Sequence, residues 1–525
     1  MRNFKSGIFS ITLLIAAIFS FGSSADLKAQ NAVIHLDSTA QIIRGFGGAN
    51  IVGWRPDLNE EDIQKVFGTE EGQLGLSILR IRIPPNKDQW SNNLPTAQKA
   101  YQMGVKVIAS PWSPPASMKT NDDLVGGRLK KDSYADYASF LRQFEDYMEN
   151  NGVPLYAISI QNEPDIEVSY ESCDWNAEEM TSFLRDHGDS LSTKVIAPES
   201  FQFRREISDA ILSDSAAASN VDIIGGHIYG GGLNRYFLPS EKGKEIWMTE
   251  YLKNQGATDE WEQLEDEVIW DETVEMLDTI QRSMIYDWNA YIWWYLKRYY
   301  SFLGDGEQGT EDGVLLKRGY AFSHFSRFVR PGFHRVYSRL SYAPGYGNVS
   351  LTAYTDSSKA IIIAVNGENS PKEVNFSIEG GAITSLMQHV TSPTENMVQL
   401  ENVEITNNSF TLTLPAKSIK TFISEDLTVS NESITETPFA FELHQNYPNP
   451  FNPATTIKYQ LPVSSEVSLK VFDMLGREVA TLVNERISAG THEISFDASG
   501  LSSGLYFYRL DAHGFMETRQ MTLIK

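Results

Sequence analysis

Short apolar runs alternate with helical stretches along the chain from Gly45 to Trp294. Each run has the length of a buried strand, and several are followed by an amphipathic stretch such as Tyr134–Glu149. The eight candidate strands are Gly45–Ala49, Ile78–Ile83, Val105–Ser110, Leu155–Gln161, Lys194–Pro198, Val221–His227, Ile246–Glu250 and Ala290–Tyr295. Eight strand–helix units predict an α/β fold, a (β/α)8 TIM barrel. A doubly wound sheet is the alternative, and the clustering of polar residues after the third to eighth strands favours the barrel.

After the barrel, from Arg335 to about Glu425, the pattern changes to alternation with a period of two. The candidate strands there are Val349–Tyr354, Ala360–Val365, Val374–Ile378, Ser409–Leu414 and Thr421–Ser424. The segment Ala32–Ile43, before the barrel, also has the pattern of a strand. We therefore predict a barrel over residues 45–334 with a fused β-sandwich formed by residues 335–425 and a strand from residues 31–44.

The remaining residues predict a linker and a separate all-β unit. Residues 426–438 are polar and rich in Ser, Thr and Glu, which is typical of a linker. In residues 439–525 a turn-rich opening precedes the candidate strands Thr455–Leu461, Val467–Asp473, Gly490–Asp497, Gly504–Asp511 and Met516–Ile524. This alternation predicts a small β-sandwich, for which a carbohydrate-binding module is one interpretation.

The N-terminus has the pattern of a secretory signal peptide over residues 1–30. Arg2 and Lys5 are followed by the apolar stretch Ile8–Phe21 and then by small residues, so we expect cleavage around residues 25–31. A membrane anchor is the alternative, but the apolar stretch is shorter than the roughly 20 residues that a span needs. No later segment is long and apolar enough to span, so we predict no membrane span.

Composition narrows the class of partner. Of the 525 residues, 41% are hydrophobic and 21% charged, as expected of a globular protein with more than one domain. The formal net charge of −24 argues against nucleic acid, because phosphates need a basic surface. An anionic substrate would therefore need a local cation at its binding site. Cys173 is the sole cysteine, so an intramolecular disulfide is impossible.

Two glutamates end two of the predicted strands: Glu163, in an Asn-Glu-Pro motif, and Glu250, in a Thr-Glu-Tyr motif. The carboxyl ends of barrel strands surround the active site in enzymes of this fold. Two carboxyls are the minimum for cleaving a glycosidic bond, because one protonates the leaving oxygen while the other supplies negative charge at the anomeric carbon. We assign Glu163 as acid/base and Glu250 as nucleophile of a retaining reaction. The alternative is that each merely caps a helix or pairs with a surface lysine.

Residues beside these glutamates are candidate substrate contacts. We expect Asn162 to hydrogen-bond the sugar 2-hydroxyl or the nucleophile, and Tyr229 to keep the nucleophile ionised by donating a hydrogen bond. We expect His227 to form a wall of the cleft and Trp112 the floor of a sugar subsite; structural roles are the alternatives for Asn162 and His227. Taken singly, four other tryptophans are predicted as core residues: Trp54, Trp175, Trp293 and Trp294. The sequence lacks metal-ligand spacing and a glycine-rich phosphate loop, so we predict no metal and no cofactor.

Several segments resemble glycoside hydrolase family 30. They are Gly45–Gly48, Ser159–Asp165, Tyr170–Trp175, Trp247–Tyr251, Lys317–Tyr320 and Arg330–Gly332. The resemblance covers residues 32 to about 425. It implies a barrel with a fused β-domain and a retaining reaction by glutamates on strands four and seven, which fall on Glu163 and Glu250.

Within that family, the segment Trp293–Tyr300 is similar to the bacterial glucuronoxylanases. The similarity implies that Arg298, with Trp294 and Tyr300 beside it, binds the carboxylate of a glucuronic acid branch on xylan. A guanidinium suits this role because its planar fork pairs a carboxylate in two places. The alternative is that Arg298 pairs with an internal Asp or Glu. The acidic loop Ser301–Gly313 is longer than the similarity leads us to expect.

The tail resembles the C-terminal sorting domain of the type IX secretion system. The resemblance is carried by the string Asn446–Pro453, by Gly504–Leu510 and by the closing Met521–Lys525. It implies passage through a periplasm, followed by release or attachment at the outer cell surface, with the type IX machinery as a partner.

These patterns together predict a secreted, monomeric endo-β-1,4-xylanase that cleaves glucuronoxylan where its uronic acid branches direct. Another family 30 specificity is the nearest alternative: β-1,6-glucanase, β-glucosidase-like or branch-independent xylanase. From other classes, a non-catalytic surface glycan-binding protein and a structural adhesin are the alternatives.

Overall fold

The computed structural model describes residues 29–254, 266–341, 347–424, 426–429, 441–461, 465–488, 490–512 and 515–525. Nearly all of the predicted signal peptide and most of the predicted linker lie outside the described residues. Within those ranges, every helix is too short or too polar to cross a membrane.

The chain begins with a long strand, β1 (Gln30–Ile42), and then forms a closed barrel of parallel strands adjacent in chain order. The barrel strands are β2 (Gly45–Ala49), β3 (Ile78–Ile83), β4 (Lys106–Pro111), β5 (Ala157–Ser159), β6 (Lys194–Ser200), β7 (Ile223–His227), β8 (Glu245–Glu250) and β9 (Ala290–Tyr295). The helices are α1 (Glu60–Phe67), α2 (Leu94–Gln102), α3 (Tyr134–Asn150), α4 (Ala177–His187), α5 (Arg205–Ser213), α6 (Ser215–Ser219), α7 (Phe237–Glu241), α8 (Asp266–Ile285) and α9 (Lys317–Ser326). The predicted (β/α)8 barrel is confirmed, and each strand overlaps its predicted range.

The barrel interior has an apolar layer beneath a polar one. Ile78 and Arg80 lie two residues apart on β3 and therefore point to the same side of the strand. A buried cluster around Ile78 fills the lower layer: Ile78, Ile108, Ala157, Ile196, Ile223, Trp247, Ala290 and Ile292. Arg80 and the residues level with it occupy the layer above, toward the carboxyl ends of the strands. The polar groups thus rest on a packed apolar floor.

The side domain is one continuous sheet that receives β1 from before the barrel. Its other strands are β10 (His334–Leu340), β11 (Val349–Thr355), β12 (Ala360–Asn366), β13 (Lys372–Glu379), β15 (Ser385–Thr391), β16 (Val398–Glu404), β17 (Ser409–Leu414) and β18 (Ser418–Ser424). The strand order is β16-β15-β18-β12-β11-β10-β1-β13-β17. One apolar cluster takes residues from both halves of this order, including Ile362 of β12 and Phe376 of β13. The sheet therefore folds over itself into the layers of a sandwich, with β14 (Gly381–Ala382) and β19 (Thr428–Val429) pairing separately.

Strands β10, β15 and β16 were not predicted from the sequence. Strand β16 has mostly exposed residues on both faces, so its sequence lacks the alternation that marks a half-buried strand. Strand β10 carries Arg335 and Arg339 among its apolar residues. It pairs with β1 from Ala32 to Ile42, so a distant partner stabilises a strand whose own sequence gives a weak signal.

The tail is made of strands alone. They are β20 (Glu442–Leu443), β21 (Ala454–Leu461), β22 (Ser465–Phe472), β23 (Glu478–Ile487), β24 (Gly490–Asp497), β25 (Gly504–Ala512) and β26 (Phe515–Leu523). They form a three-stranded and a four-stranded sheet that share one apolar core, as the predicted small sandwich requires. Strand β23 was missed because it lies at a sheet edge, is largely exposed and pairs with β22 through register shifts.

We expect the packing of β1 to stabilise the side domain. Ile34 is fully buried in the core of the sandwich, so Ile34→Ala should lower the free energy of unfolding by about 2–5 kcal/mol. The neighbouring Val33 points to the opposite face and is only half-buried, so Val33→Ala should cost less than half as much. Urea denaturation of the purified variants measures both values. Equal losses would contradict a core position for β1.

Candidate active site

A cavity of about 260 Å³ opens at the carboxyl ends of the barrel strands, between the two predicted catalytic glutamates. Its lining combines these carboxylates with aromatic side chains: Trp54, Trp112, Glu163, Tyr170, Phe201, Tyr229, Glu250, Leu252, Trp294 and Tyr295. Aromatic faces pack against the apolar faces of sugar rings, and the two carboxylates are its charged groups. The cavity therefore has the lining of a site for a neutral pyranose.

Glu163 and Glu250 come together from strands on different sides of the barrel. Glu250 is the last residue of β8, and Glu163 follows β5. An oxygen of one carboxylate lies within 4.8 Å of an oxygen of the other. Retaining glycosidases hold their carboxyls about 5–5.5 Å apart, whereas inverting ones need about 6.5–9.5 Å to admit a water. The spacing therefore matches direct attack by one carboxylate.

The backbone at Glu163 has an unusual conformation. Its φ is +48°, in the left-handed region that residues with a side chain rarely adopt. Its N–H donates to the carbonyl of Glu199, 3.1 Å away, and the neighbouring Asn162 N–H donates to the carbonyl of Pro111 at 2.8 Å. These bonds hold a conformation that costs on the order of 1–3 kcal/mol, which is typical of functional positions.

Arg80 lies directly beneath the site and was not predicted. It is fully buried, and its guanidinium donates to four residues: Glu250 Oε2 at 2.6 Å, Asn162 Oδ1 at 2.7 Å, Ser110 Oγ at 3.2 Å and Glu199 Oε1 at 3.3 Å. The ring centre of Trp112 lies 4.8 Å from the guanidinium carbon. Arg80 thus stabilises the ionised form of Glu250 and fixes Asn162 and Trp112 around it. A signal was present, because an arginine within an isoleucine-rich buried strand needs a buried partner.

Glu199 adds a third carboxylate below the other two. It is fully buried on β6, also with a left-handed backbone, at φ +55°. Burial disfavours its charge, but the charges of Arg80 and His227 outweigh burial and lower the pKa of Glu199 to about 2. Glu199 is therefore a permanent anion that balances the two cations. From the sequence alone it was an unremarkable residue in an Ala-Pro-Glu-Ser segment.

His227 lies behind Glu163 and does not line the cavity, whereas we expected it to form a wall of the cleft. It is fully buried, and Nδ1 is 2.8 Å from Glu163 Oε1 while Nε2 is 4.0 Å from Glu199 Oε1. Burial opposes protonation, but Glu250, Glu163 and Glu199 together raise the pKa of His227 to about 9. At neutral pH the imidazole is a cation that donates to Glu163.

Two tyrosines orient the carboxylates of Glu163 and Glu250. Tyr229 donates its hydroxyl to Glu250 Oε1 at 2.9 Å, and Tyr170 donates to Glu163 Oε2 at 3.0 Å. Burial, reinforced by the neighbouring carboxylates, raises the pKa of both hydroxyls well above the usual value, so they remain donors. The position of Tyr229 is the one expected from sequence. Tyr170 was quoted there only as part of a resembling segment.

The charge state of Glu250 depends on opposing effects. Burial is the largest effect and leaves the pKa of Glu250 raised above its ordinary value, and the charge of Glu163 acts in the same direction. The charges of His227 and Arg80 and the hydrogen bond from Tyr229 oppose that rise. Because Arg80 and Tyr229 each bind a different oxygen of Glu250, both oxygens are held by donors that favour the carboxylate.

Three tryptophans form one aromatic wall of the cavity. The rings of Trp54, Trp112 and Trp294 lie 5.3–6.5 Å from one another. Trp112 and Trp294 were predicted substrate contacts, whereas Trp54 was expected in the core and instead lines the cavity. Trp175 and Trp293 are buried in the main hydrophobic core, as expected. The wall was hard to see in the sequence because its members come from distant parts of the chain: Trp54 from the loop after β2, Trp112 from the residue that follows β4 and Trp294 from β9.

Asn162 is anchored rather than free. Its Oδ1 accepts from Arg80, and its buried Nδ2 has no hydrogen-bond partner within the described part of the chain. An unpaired buried amide donor is costly unless a ligand satisfies it. The arrangement is therefore compatible with the predicted hydrogen bond to a sugar hydroxyl.

Arg298 and Tyr300 lie beside the cavity rather than in its lining. Arg298 already has internal partners, Asp305 at 2.6 Å and Glu307, as the alternative from the sequence held. Tyr300 packs against the aromatic cluster that contains Trp112 and Trp294. The acidic residues that pair with Arg298 belong to the loop whose length was unexpected.

The ligand atoms of Glu163, His227 and Glu250 are close enough together to hold a metal ion. A metal ligand must offer a lone pair, and imidazole binds metals in its neutral form. With its pKa raised to about 9, His227 is protonated at neutral pH. In that protonated state His227 is an ion-pair partner of the surrounding carboxylates.

The His227 cation should make stability depend on alkaline pH. Its folded pKa of about 9 lies above the ordinary 6.5, so its contribution is complete below pH 6.5 and disappears as pH rises through 9. Between pH 6 and 9.5, the free energy of unfolding should fall by about 3 kcal/mol more in the wild type than in His227→Asn. Urea denaturation at both pH values checks this, with the half-buried His187→Asn as control. The same pH dependence in His227→Asn would contradict the buried cation.

Comparison with known proteins finds family matches for two parts of the chain. Residues 76–292 match the family described as "Glycosyl hydrolase family 30 TIM-barrel domain". Residues 445–525 match "Secretion system C-terminal sorting domain", so the tail is a sorting domain for type IX export to the cell surface or the medium.

Individual relatives extend the match through the side domain. The Bacillus subtilis (strain 168) protein named glucuronoxylanase XynC is 36% identical over 419 residues, which are 78% of this chain and 95% of that protein. The solved structure of a GH30 endoxylanase from Clostridium papyrosolvens C71 is 36% identical with a TM-score of 0.66, covering 75% of this chain and 100% of that one. The subfamily 8 xylanase Xyn30A from Clostridium acetobutylicum is 35% identical with a TM-score of 0.67, covering 75% and 99%. Since the similarity includes nearly the whole of these relatives, the chain belongs to glycoside hydrolase family 30.

Proposed function

We propose that the protein is a secreted, retaining endo-β-1,4-xylanase that cleaves glucuronoxylan at positions set by its uronic acid branches. The observation that carries this proposal is the convergence of Glu163 and Glu250, with oxygens within 4.8 Å, in a cavity lined by aromatic rings. The similarity to the glucuronoxylanase XynC and to the xylanase Xyn30A supports xylan as the polysaccharide. The sorting domain provides the route by which the enzyme would reach an extracellular polymer.

The reaction has two steps. Glu250 attacks the anomeric carbon while Glu163 gives a proton to the departing glycosidic oxygen, which forms a covalent glycosyl-enzyme. Water then attacks that intermediate, and Glu163 accepts its proton. The configuration is inverted twice and therefore retained. Arg80 and Tyr229 hold Glu250 with both oxygens occupied, which limits its rotation before attack.

His227 is the buried partner of the acid/base. Its Nδ1–H donates to Glu163 Oε1 at 2.8 Å, so the proton that Glu163 gives to the leaving group is a separate one from the proton on His227. When Glu163 gives up a proton, the cationic His227 stabilises the resulting carboxylate. This pairing lets Glu163 change from acid to base between the two steps without leaving an unpaired buried charge.

The division of the chain follows the same proposal. Residues 1–30 are removed as a signal peptide, residues 45–334 carry the chemistry, and residues 31–44 with 335–425 form the side domain. Residues 426–438 link this unit to the sorting domain of 439–525. We propose that the exported enzyme works as a monomer, since the residues around the cavity all come from one chain.

Substitution of Glu250 should abolish turnover. The amide of Glu250→Gln keeps the shape of the side chain but cannot act as a nucleophile, so we expect kcat on glucuronoxylan to fall by about 1,000-fold or more. Reducing-sugar release measures the rate, and calorimetry with a xylo-oligosaccharide checks that binding persists. Glu241→Gln, an exposed change at the end of α7, is the control. A rate near that of the wild type would remove Glu250 from the reaction.

Arg298 should affect branched substrate more than unbranched substrate. Arg298→Ala should lower kcat/KM on glucuronoxylan by about tenfold relative to its effect on a linear xylo-oligosaccharide, because a charge-assisted hydrogen bond contributes about 1.5–3 kcal/mol. Arg298→Lys keeps the charge but loses the planar fork, and should recover only part of the difference. Product mapping by mass spectrometry accompanies the rates. Equal losses on both substrates would exclude Arg298 from branch recognition.

A further inference from the structure

Arg298 is enclosed, and one edge of its guanidinium is occupied by the protein itself. The residue is 6% exposed, and its guanidinium carbon lies 4.8 Å from the ring of Tyr299. Nη1 contacts both Asp305 Oδ2, at 2.6 Å, and Glu307 Oε2. Among the described residues, Nε and Nη2 have no hydrogen-bond partner. The cation expected to meet a substrate carboxylate therefore meets two internal carboxylates first.

The loop that supplies these carboxylates is tied to the strand end. The Arg298 N–H donates to the carbonyl of Leu303 at 2.8 Å, and the Leu303 N–H donates to the carbonyl of Leu296 at 3.1 Å. The Asp305 side chain is 13% exposed and is therefore held in place, whereas that of Glu307 is 44% exposed. Glu307 is thus the partner that can leave without unfolding the loop.

Glu307 also has a second cation available. Its other oxygen, Oε1, lies 3.2 Å from Arg55 Nη1, and the Arg55 side chain is 34% exposed. The two arginines and the two acids give this patch no net charge. An acidic branch approaching a protein with a net charge of −24 therefore finds a neutral patch rather than a free cation.

We propose that Glu307 competes with the carboxylate of an acidic branch for the guanidinium of Arg298. The branch replaces Glu307 on Nη1 of Arg298, Glu307 moves to Arg55, and Asp305 remains to keep the guanidinium oriented. This inference rests on the proposed function, and it assigns Glu307 as the residue that weakens the selectivity for acidic branches. The wild-type enzyme should therefore discriminate less strongly between xylan with many acidic branches and xylan with few than an enzyme whose Arg298 lacked Glu307 as a partner.

The test compares substrates that differ only in the branch charge. Glucuronoxylan and the same polymer after chemical reduction of its uronic acids to neutral sugars are digested by wild type, Glu307→Gln and Glu311→Gln. Each variant removes one negative charge from the same loop, but Glu311 makes no contact with Arg298 among the described residues. We expect Glu307→Gln to raise the ratio of kcat/KM, acidic over reduced polymer, by about three- to tenfold, with little change in Glu311→Gln.

Substitution of Asp305, the other acid that contacts Arg298, distinguishes a competitor of the branch from a support for Arg298. Asp305→Asn should lower the same ratio, because Asp305 is the partner that orients Arg298. If Glu307→Gln also lowered the ratio, Glu307 would be a support for Arg298 and the proposal would be overturned. The proposal would also be overturned if Glu307→Gln and Glu311→Gln changed the ratio equally.

Direct binding makes the result independent of catalysis. Sodium glucuronate is titrated calorimetrically into wild type, Glu307→Gln and Glu311→Gln, with glucose as neutral probe. Glu307→Gln should bind glucuronate about three- to tenfold more tightly than the wild type does, and it should not gain affinity for glucose. Failure of Glu307→Gln to bind glucuronate better overturns the inference even if xylan is cleaved. If the wild type cleaved neither the acidic nor the reduced polymer, the proposed function would be overturned instead. The calorimetric result would still decide the role of Glu307.

Discussion

The site depends on compensation of buried negative charge. Glu163, Glu199 and Glu250 lie within the end of a barrel, where an unpaired carboxylate would cost several kcal/mol. Arg80 contacts Glu199 and Glu250, and the His227 cation contacts Glu163 and lies 4.0 Å from Glu199. Two cations against three acids leave room for one proton, and a retaining reaction needs one carboxyl protonated and one ionised at its start. The charge balance and the chemistry therefore impose the same requirement.

The charged groups lie between an apolar layer of the barrel interior and a wall of tryptophans. Below the charges, the apolar layer around Ile78 and Trp247 excludes water and fixes the strands that carry Arg80 and Glu250. Above them, the tryptophan wall leaves room for a sugar without adding charge. A donor placed in such a water-poor environment has a stronger effect on a carboxylate than it has in solvent. The apolar floor thus contributes to the function of the polar layer that it supports.

The sequence predicted those parts of the fold that repeat a local pattern. The eight barrel strands were found because each is a short apolar run, and Glu163 and Glu250 because they end two of these runs. The exposed edge strand β16 lacks such a pattern and was missed. Arg80 and Glu199 were missed for a different reason. Their partners lie on other strands, and only the closed barrel brings a residue of β3 against residues of β6 and β8.

Arg80 and Arg298 differ in how firmly their acidic partners are held. Arg80 is fully buried with fixed partners, so its contacts cannot exchange while the barrel is folded. Arg298 lies at the rim with one edge held by an exposed glutamate, whose exchange would move only a loop side chain. Because the Glu307 side chain is 44% exposed, its carboxylate can return to solvent when it leaves Arg298, so a change at this position should cost little stability. A change near Arg80 would instead leave buried carboxylates unpaired, so differences among such enzymes should accumulate at the rim.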